Sequence, residues 1–224
     1  GQRWATRFPA VTVRDQVRLQ MALADRLGIR RIRFVIGGSM GGLQALEWAL
    51  LDPHRVEAVV SIAAAGRHPP WCIAWSEAQR LALQADPDFR GGAYDPAQPP
   101  RAGLAAARAV AMVSYRSPAS LGVRFGRAAG REIYASRAGA PEEFAVRNWL
   151  RQHGNSLVDR FDANRYLTHV DAMDSHDVAR GRGVYENVLK GLRQPALIGS
   201  VISDALYVPE EQANLARRGG DQLA

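Results

Sequence analysis

One cysteine, Cys72, and one lysine, Lys190, are all that the 224 residues hold of those two types. A lone cysteine excludes a disulfide framework and a cysteine-built metal site. No apolar run reaches the roughly 18 residues that a membrane-spanning helix needs, and the first residues lack the pattern of a secretory leader. A soluble, reducing, cytoplasmic setting is therefore the expectation, with no cofactor, no metal and no membrane partner. Acidic residues are outnumbered 22 to 29, which leaves a net charge of +7 and an isoelectric point near 10.3. Almost all of that positive charge is arginine. The arginines are scattered, without a basic block or basic-aromatic interleaving, so nucleic acid is not indicated. An arginine-rich solvated surface is the plain reading, and a polyanionic small substrate is compatible with it. With 47% hydrophobic and 23% charged residues, the chain can bury one sizeable core.

The most informative stretch is Gly37-Gly38-Ser39-Met40-Gly41-Gly42, directly after the apolar run Ile32-Arg33-Phe34-Val35-Ile36. It reads as G-x-S-x-G between a buried strand and a helix, the nucleophile elbow of α/β-hydrolase-type enzymes. A serine hydroxyl is a weak nucleophile, and it must stand on a sharp turn where a base can reach it. Glycines two before and two after leave space for that turn, and the amide of Met40 then points at a developing oxyanion. Leu43-Gln44-Ala45-Leu46-Glu47-Trp48-Ala49-Leu50 is a good helix former, and residues 56–65 fit another buried strand. The plainer alternative is a glycine-rich phosphate cradle. No lysine follows the glycines, which argues against a P-loop.

Along the chain the pattern predicts three parts. Residues 1–66 alternate helix and strand. Thr12 and Asp15 fit a capping box, Val17, Met21, Ala24 and Leu27 give a helical stripe, and Gly28 ends it. Residues 67–190 carry prolines at 69, 70, 96, 99 and 100, loops around 91–103 and 128–141, and helical patches at 105–112, 142–152 and 155–161. That part reads as a mostly helical lid inserted into the core. Residues 191–224 return to the core with the apolar run at 195–202, followed by Ser203 and Asp204. The expected architecture is an α/β-hydrolase fold, a mostly parallel sheet flanked by helices with a helical lid, incomplete at both ends. An acid after a late strand suits the order Ser…Asp…His of this fold, where it orients the histidine. Taken alone, such an aspartate is more often a turn former or a helix cap.

These residues carry a family resemblance. The elbow with Leu43-Gln44-Ala45-Leu46-Glu47-Trp48-Ala49 resembles that of homoserine O-acetyltransferases. So do Thr12-Val13-Arg14-Asp15, Trp71-Cys72-Ile73-Ala74-Trp75-Ser76-Glu77-Ala78-Gln79-Arg80 and Ala85-Asp86-Pro87-Asp88-Phe89. Further matches are Arg160-Phe161-Asp162-Ala163-Asn164, His176-Asp177-Val178-Ala179-Arg180-Gly181 and Ser203-Asp204-Ala205-Leu206-Tyr207. The resemblance runs along nearly the whole chain and is nearest the branch that also holds fungal homoserine and deacetylcephalosporin C acetyltransferases.

It implies a ping-pong acyl transfer from acetyl-CoA to L-homoserine in methionine biosynthesis, through an acyl-enzyme on Ser39, with Asp204 as the acid of the triad. Arg108 and Tyr115 fall on lid positions that hold the amino-acid acceptor in the family, and a homodimer is expected by the same analogy. The same chemistry on serine or another alcohol, or with succinyl-CoA, is an alternative, as is an esterase or a non-catalytic relative. One departure stands out. His54, His68, His153, His169 and His176 all precede Asp204, whereas the fold places its base after the acid. The expectation is that the base and a second oxyanion donor lie outside this chain, which would then be an inactive part of a longer enzyme. His68-Pro69-Pro70-Trp71 also puts prolines where relatives usually carry small residues.

Overall fold

A computed structural model of the protein describes residues 4–128 and 144–219. Of the loop expected at 128–141 only Ala128 is among them, and Glu142 also lies outside. The chain divides into two compact units. One comprises Pro9–Ile73 and Thr168–Ala224, the other Gly1–Phe8 and Ala74–Leu167.

The first unit holds the sheet. Helix α1 (Val13–Arg26) starts at Thr12, whose hydroxyl accepts the Asp15 amide while the Asp15 carboxylate accepts the Thr12 amide. Such a box contributes about 1 kcal/mol. The Thr12 hydroxyl also donates to that carboxylate at 2.8 Å, and this bond together with the one from the Thr12 amide holds the Asp15 carboxyl below its ordinary pKa. Val13, Val17 and Ala24 are buried, but Leu27 is 65% exposed. The stripe ends early because the helix stops at Arg26 and Leu27 is already its C-cap. Gly28 follows at φ 70°, a backbone that glycine adopts without steric cost.

Strand β1 (Val35–Gly38) runs straight into helix α2 (Met40–Leu51), and β2 (Val59–Ile62) follows. Far along the chain come α8 (Tyr185–Lys190), β3 (Ala196–Gly199) and α9 (Pro209–Arg218). The strands are parallel in the order β1-β2-β3, with Val35, Val59 and Ala196 in register at one end and Gly38, Ile62 and Gly199 at the other. Each is shorter than the apolar run that announced it. Ile32 only bridges Val56, and the pairing instead extends through Gly37 and Gly38, since main-chain hydrogen bonding does not depend on side chains. Val59 and Ala196 join Leu46, Ala49, Val188, Leu189 and Leu215 in one core, which α2, α8 and α9 line. On the opposite face Ile36 and Leu197 are exposed.

The second unit is helical. Helix α3 (Pro70–Gln84) enters it, and a 3-10 turn (Pro87–Gly92), α4 (Arg101–Ser114), α5 (Pro118–Phe125) and α6 (Ala145–Val158) follow. Helix α7 (Ala163–Asp174) leads out of it. Leu83, Phe89, Tyr94, Leu104, Ala107 and Leu157 form its own core. The patches expected at 142–152 and 155–161 merge into α6, which ends at Val158. Gly154 does not break that helix. A Cβ there would sit 2.6 Å from the Ala105 carbonyl oxygen, so the glycine lets α4 and α6 approach to backbone contact.

Candidate functional site

Ser39 sits between β1 and α2 at φ 53° and ψ −125°. This left-handed backbone is strained for a residue with a Cβ, and such strain gathers at functional sites. The surroundings hold it in place. Its amide donates to the Ile62 carbonyl at 2.9 Å, and its carbonyl accepts the amides of Gly42 at 2.8 Å and Leu43 at 3.2 Å. Ser39 is exposed. A Cβ on Gly37 would meet the Gly41 carbonyl oxygen at 2.1 Å, so the turn closes only with glycine two residues before the serine. The glycine two residues after it has nothing within 4 Å of such an atom, whereas one on Gly42 would strike Ala64 at 2.7 Å and Ser61 at 2.8 Å. The spacing rule therefore singles out Gly37 and Gly41, while the packing constrains Gly37 and Gly42.

Met40 is the first residue of α2. Its amide has no carbonyl one turn earlier to bind, and it opens at the positive end of the helix dipole, where an oxyanion is stabilised. Ala63, just past β2, is a second non-glycine residue at positive φ, 48°. Two strained residues thus stand side by side where β1 and β2 end.

Asp204 lies five residues beyond β3, half-buried. Its Oδ1 accepts the amides of Leu206 at 2.8 Å and Tyr207 at 3.0 Å. It is thus a turn-forming aspartate whose orientation is fixed by two backbone donors, and Oδ2 makes no hydrogen bond among the described residues. Because the strands are parallel, Ser39 and Asp204 both follow carboxyl ends, the edge where open α/β sheets place their ligands. β1 and β3 flank β2, so those ends stand about 10 Å apart.

In the helical unit, Arg108 on α4 lies over the ring of Tyr115 at the helix C-cap, 5.4 Å from guanidinium to ring centre. The two residues expected to hold an acceptor are neighbours. A feature that sequence reading missed surrounds them. Arg116 and Arg124 approach Trp149 at 5.9 and 5.7 Å, and Trp149 meets His153 edge-on at 4.8 Å. Burial and the charges of Arg108, Arg116 and Arg124 lower the His153 pKa. Scattered along the chain, these arginines gather in space. The signal was there as an absence, since residues 96–131 carry six arginines and no acid.

Three histidines of the sheet-bearing unit, His54, His68 and His176, are not set up as a base. His176 is 3% exposed, with no hydrogen-bond partner for Nε2 among the described residues, and burial pushes its pKa down to about 4. His68 is committed to Tyr207 at 2.9 Å. His54 is exposed, on the turn after α2. No three His, Cys, Asp or Glu side chains converge as a metal site among the described residues. The Cys72 thiol is buried beside the Leu206 carbonyl, 3.3 Å away. Burial and nearby carboxylates push its pKa up to about 12, so it is no nucleophile. No helix among the described residues is long and apolar enough to cross a membrane.

A strand, a serine at positive φ, a helix and a parallel sheet with an acid beyond its third strand define an α/β-hydrolase site. The alpha/beta hydrolase fold family matches residues 1–198, and the chain belongs to it. More particularly, the chain is similar to homoserine O-acetyltransferases. That of Trichormus variabilis is 52% identical over 216 residues, 96% of this chain and 58% of that protein. That of Chlorobium chlorochromatii is 50% identical over 216 residues, 96% of this chain and 59% of that protein. Among solved structures, esterase E22 superposes with a TM-score of 0.87 at 28% identity, over all of this chain and 62% of that one. The chain therefore spans about three fifths of the length of the proteins it matches.

Proposed function

We propose that this chain carries the nucleophile, the acid and the acceptor-binding residues of a homoserine O-acetyltransferase. The observation behind the chemistry is the backbone of Ser39, strained and exposed on the loop that opens α2. The identity of about half with homoserine O-acetyltransferases supports the choice of substrates. Ser39 Oγ attacks the thioester carbon of acetyl-CoA and gives its proton to a histidine base. The Met40 amide stabilises the oxyanion. The C–S bond breaks, the thiolate takes the proton, and the acetyl group stays on Ser39. The γ-hydroxyl of homoserine then attacks the acyl-serine through the same base, and O-acetylhomoserine leaves. Asp204 orients that base, which by the order Ser…Asp…His is a residue following Asp204 in the complete gene product. Arg108 holds the acceptor carboxylate beside Tyr115, a task suited to a guanidinium fork. Arg116 and Arg124, gathered at Trp149 in the helical unit, favour a polyanionic donor such as coenzyme A.

A second reading is favoured by the likeness to esterase E22, in which water discharges the acyl-serine. One experiment separates the two. The complete gene product is mixed with acetyl-CoA, and the peptide bearing Ser39 is weighed by mass spectrometry before and after a chase with homoserine, serine or buffer. Rapid discharge by homoserine and slow discharge by water supports the transferase. Equal discharge by water refutes it in favour of the esterase, and a peptide that never gains 42 Da, the mass of an acetyl group, refutes the acyl-serine itself.

A further inference from the structure

The loop that carries Asp204 is clamped at several points. Trp71 Nε1, in the first turn of α3, donates to the Ala205 carbonyl at 2.9 Å, and the Cys72 thiol reaches the Leu206 carbonyl. Tyr207 is 2% exposed. Its amide binds Asp204 Oδ1, and its hydroxyl lies 2.9 Å from His68 Nδ1. The other ring nitrogen, Nε2, is 3.4 Å from Asp174 Oδ1. The negative charge beside Nε2 favours the hydrogen there, which leaves Nδ1 to accept the phenol proton. Burial lowers the His68 pKa against the pull of Asp174, which keeps the ring in that neutral form. His68 is itself anchored. Its amide donates to the His176 carbonyl at 3.0 Å, and Val178 donates to Gly66 at 2.9 Å.

The outcome is a buried chain of carboxylate, imidazole and phenol that ends on a residue whose own amide holds the acid. We propose that His68 and Tyr207 are positioning residues for Asp204, setting where its carboxylate meets the histidine base. This rests on the reading of Asp204 as the acid of the acyl transfer. A displacement of about 1 Å at such a group can cost a hundredfold in rate, and the partners that orient the ligands of a metal, a comparable positioning role, are typically worth about 10–100-fold.

The test uses the complete gene product. Tyr207→Phe removes one oxygen atom and keeps the ring. The expected result is a fall of about 10–100-fold in kcat/KM for acetyl-CoA with KM changed by less than about threefold. The acid limb of the pH profile should move to lower pH, because a carboxylate held less closely raises the pKa of its histidine less. His68→Asn, whose amide oxygen can stand where Nδ1 accepts, should retain more activity than His68→Leu. A Tyr207→Phe enzyme within twofold of the parent, or one whose loss follows its unfolded fraction with an unmoved acid limb, overturns the proposal. Asp204→Asn is the control for the reading beneath it. If that variant stays fully active, Asp204 is not the acid and the positioning role falls with it. If Asp204→Asn is inactive and Tyr207→Phe is not impaired, only the positioning role fails.

Discussion

Glu47 is the most consequential charge in the sheet-bearing unit. It lies on α2, the helix that begins at Ser39, and it is 1% exposed. Arg14 grips it with two bonds, Nε to Oε2 at 3.1 Å and Nη2 to Oε1 at 3.2 Å. Arg182 adds Nη2 to Oε2 at 2.7 Å. The arginines also bind main chain, Arg14 the carbonyl of Arg180 at 2.8 Å and Arg182 that of Val178 at 2.9 Å. One carboxylate therefore ties α1, α2 and the segment before α8 together. Glu47→Gln preserves volume but leaves two guanidinia, only 13% and 20% exposed, without their counter-charge. Breaking a buried pair from one side costs about 3–5 kcal/mol. We take the lower end, about 3 kcal/mol, because the amide oxygen still accepts one bond; that is over a hundredfold in the folding constant.

Urea unfolding of the complete gene product, followed through Trp48 on the same helix, measures this directly. Trp48 is 6% exposed, with its indole bound to Gln20 at 2.7 Å. The midpoint should fall with an unchanged m-value. Replacing all three charged residues by apolar ones of similar size should recover most of the loss, since such networks confer specificity more than stability. A Glu47→Gln protein within about 0.5 kcal/mol of the parent would refute the reasoning, for it would mean that water already screens the triad.

Two further predictions rest on local geometry. Gly37→Ala should cost more than about 3 kcal/mol by the same assay, because its Cβ meets backbone that cannot yield, while Gly41→Ala, with open space around it, should cost less than about 1 kcal/mol; equal effects would show that the turn relaxes. His176 should make the fold sensitive to acid: its folded pKa of about 4 lies below the ordinary 6.5, so the unfolded chain takes up the proton first, and about 3 kcal/mol of stability present above pH 6.5 is lost as the pH falls through 4. His176→Leu should flatten that difference between urea midpoints at pH 7.5 and 4.5, and an unchanged slope would show that the ring is already solvated.

Much of the fold was written in local pattern. The capping box at Thr12, the glycine after α1 and the strand-elbow-helix order depend on near neighbours, and the structure has them. What failed to show locally depends on long-range packing. Leu27 fits the stripe of α1 but falls one residue beyond its end. Gly154 falls between the patches read at 142–152 and 155–161 and is a contact point, because the partner that needs its missing Cβ is Ala105, 49 residues away. Gly42 lies outside the G-x-S-x-G spacing, and its requirement shows only once Ser61 and Ala64 are folded against it. His68 sits in a stretch that stood out only for its prolines, and its partner Tyr207 follows 139 residues later. The arginines looked dispersed because helix packing, not sequence, brings Arg116 and Arg124 to Trp149.

The distance between Ser39 and Asp204, 165 residues, follows from the topology. Parallel strands cannot be joined by a hairpin, and each crossover needs about a dozen residues or more. Between β1 and β2 that minimum suffices, with α2 as the crossover. Between β2 and β3 the crossover holds Ala74–Leu167, nearly all of the second unit and its core. A long insertion is thermodynamically cheap because closure entropy rises only logarithmically with loop length, about 0.6 kcal/mol per doubling, and a unit that buries its own apolar surface adds no exposed core. The sheet thus keeps serine and acid at one edge, whatever the insertion presents. On the roles proposed above, changes confined to Arg108 and Tyr115 should alter which acceptor discharges the acyl-serine while leaving its formation intact. A loss of Ser39 acylation by an Arg108→Gln enzyme with normal thermal stability would contradict that division of labour.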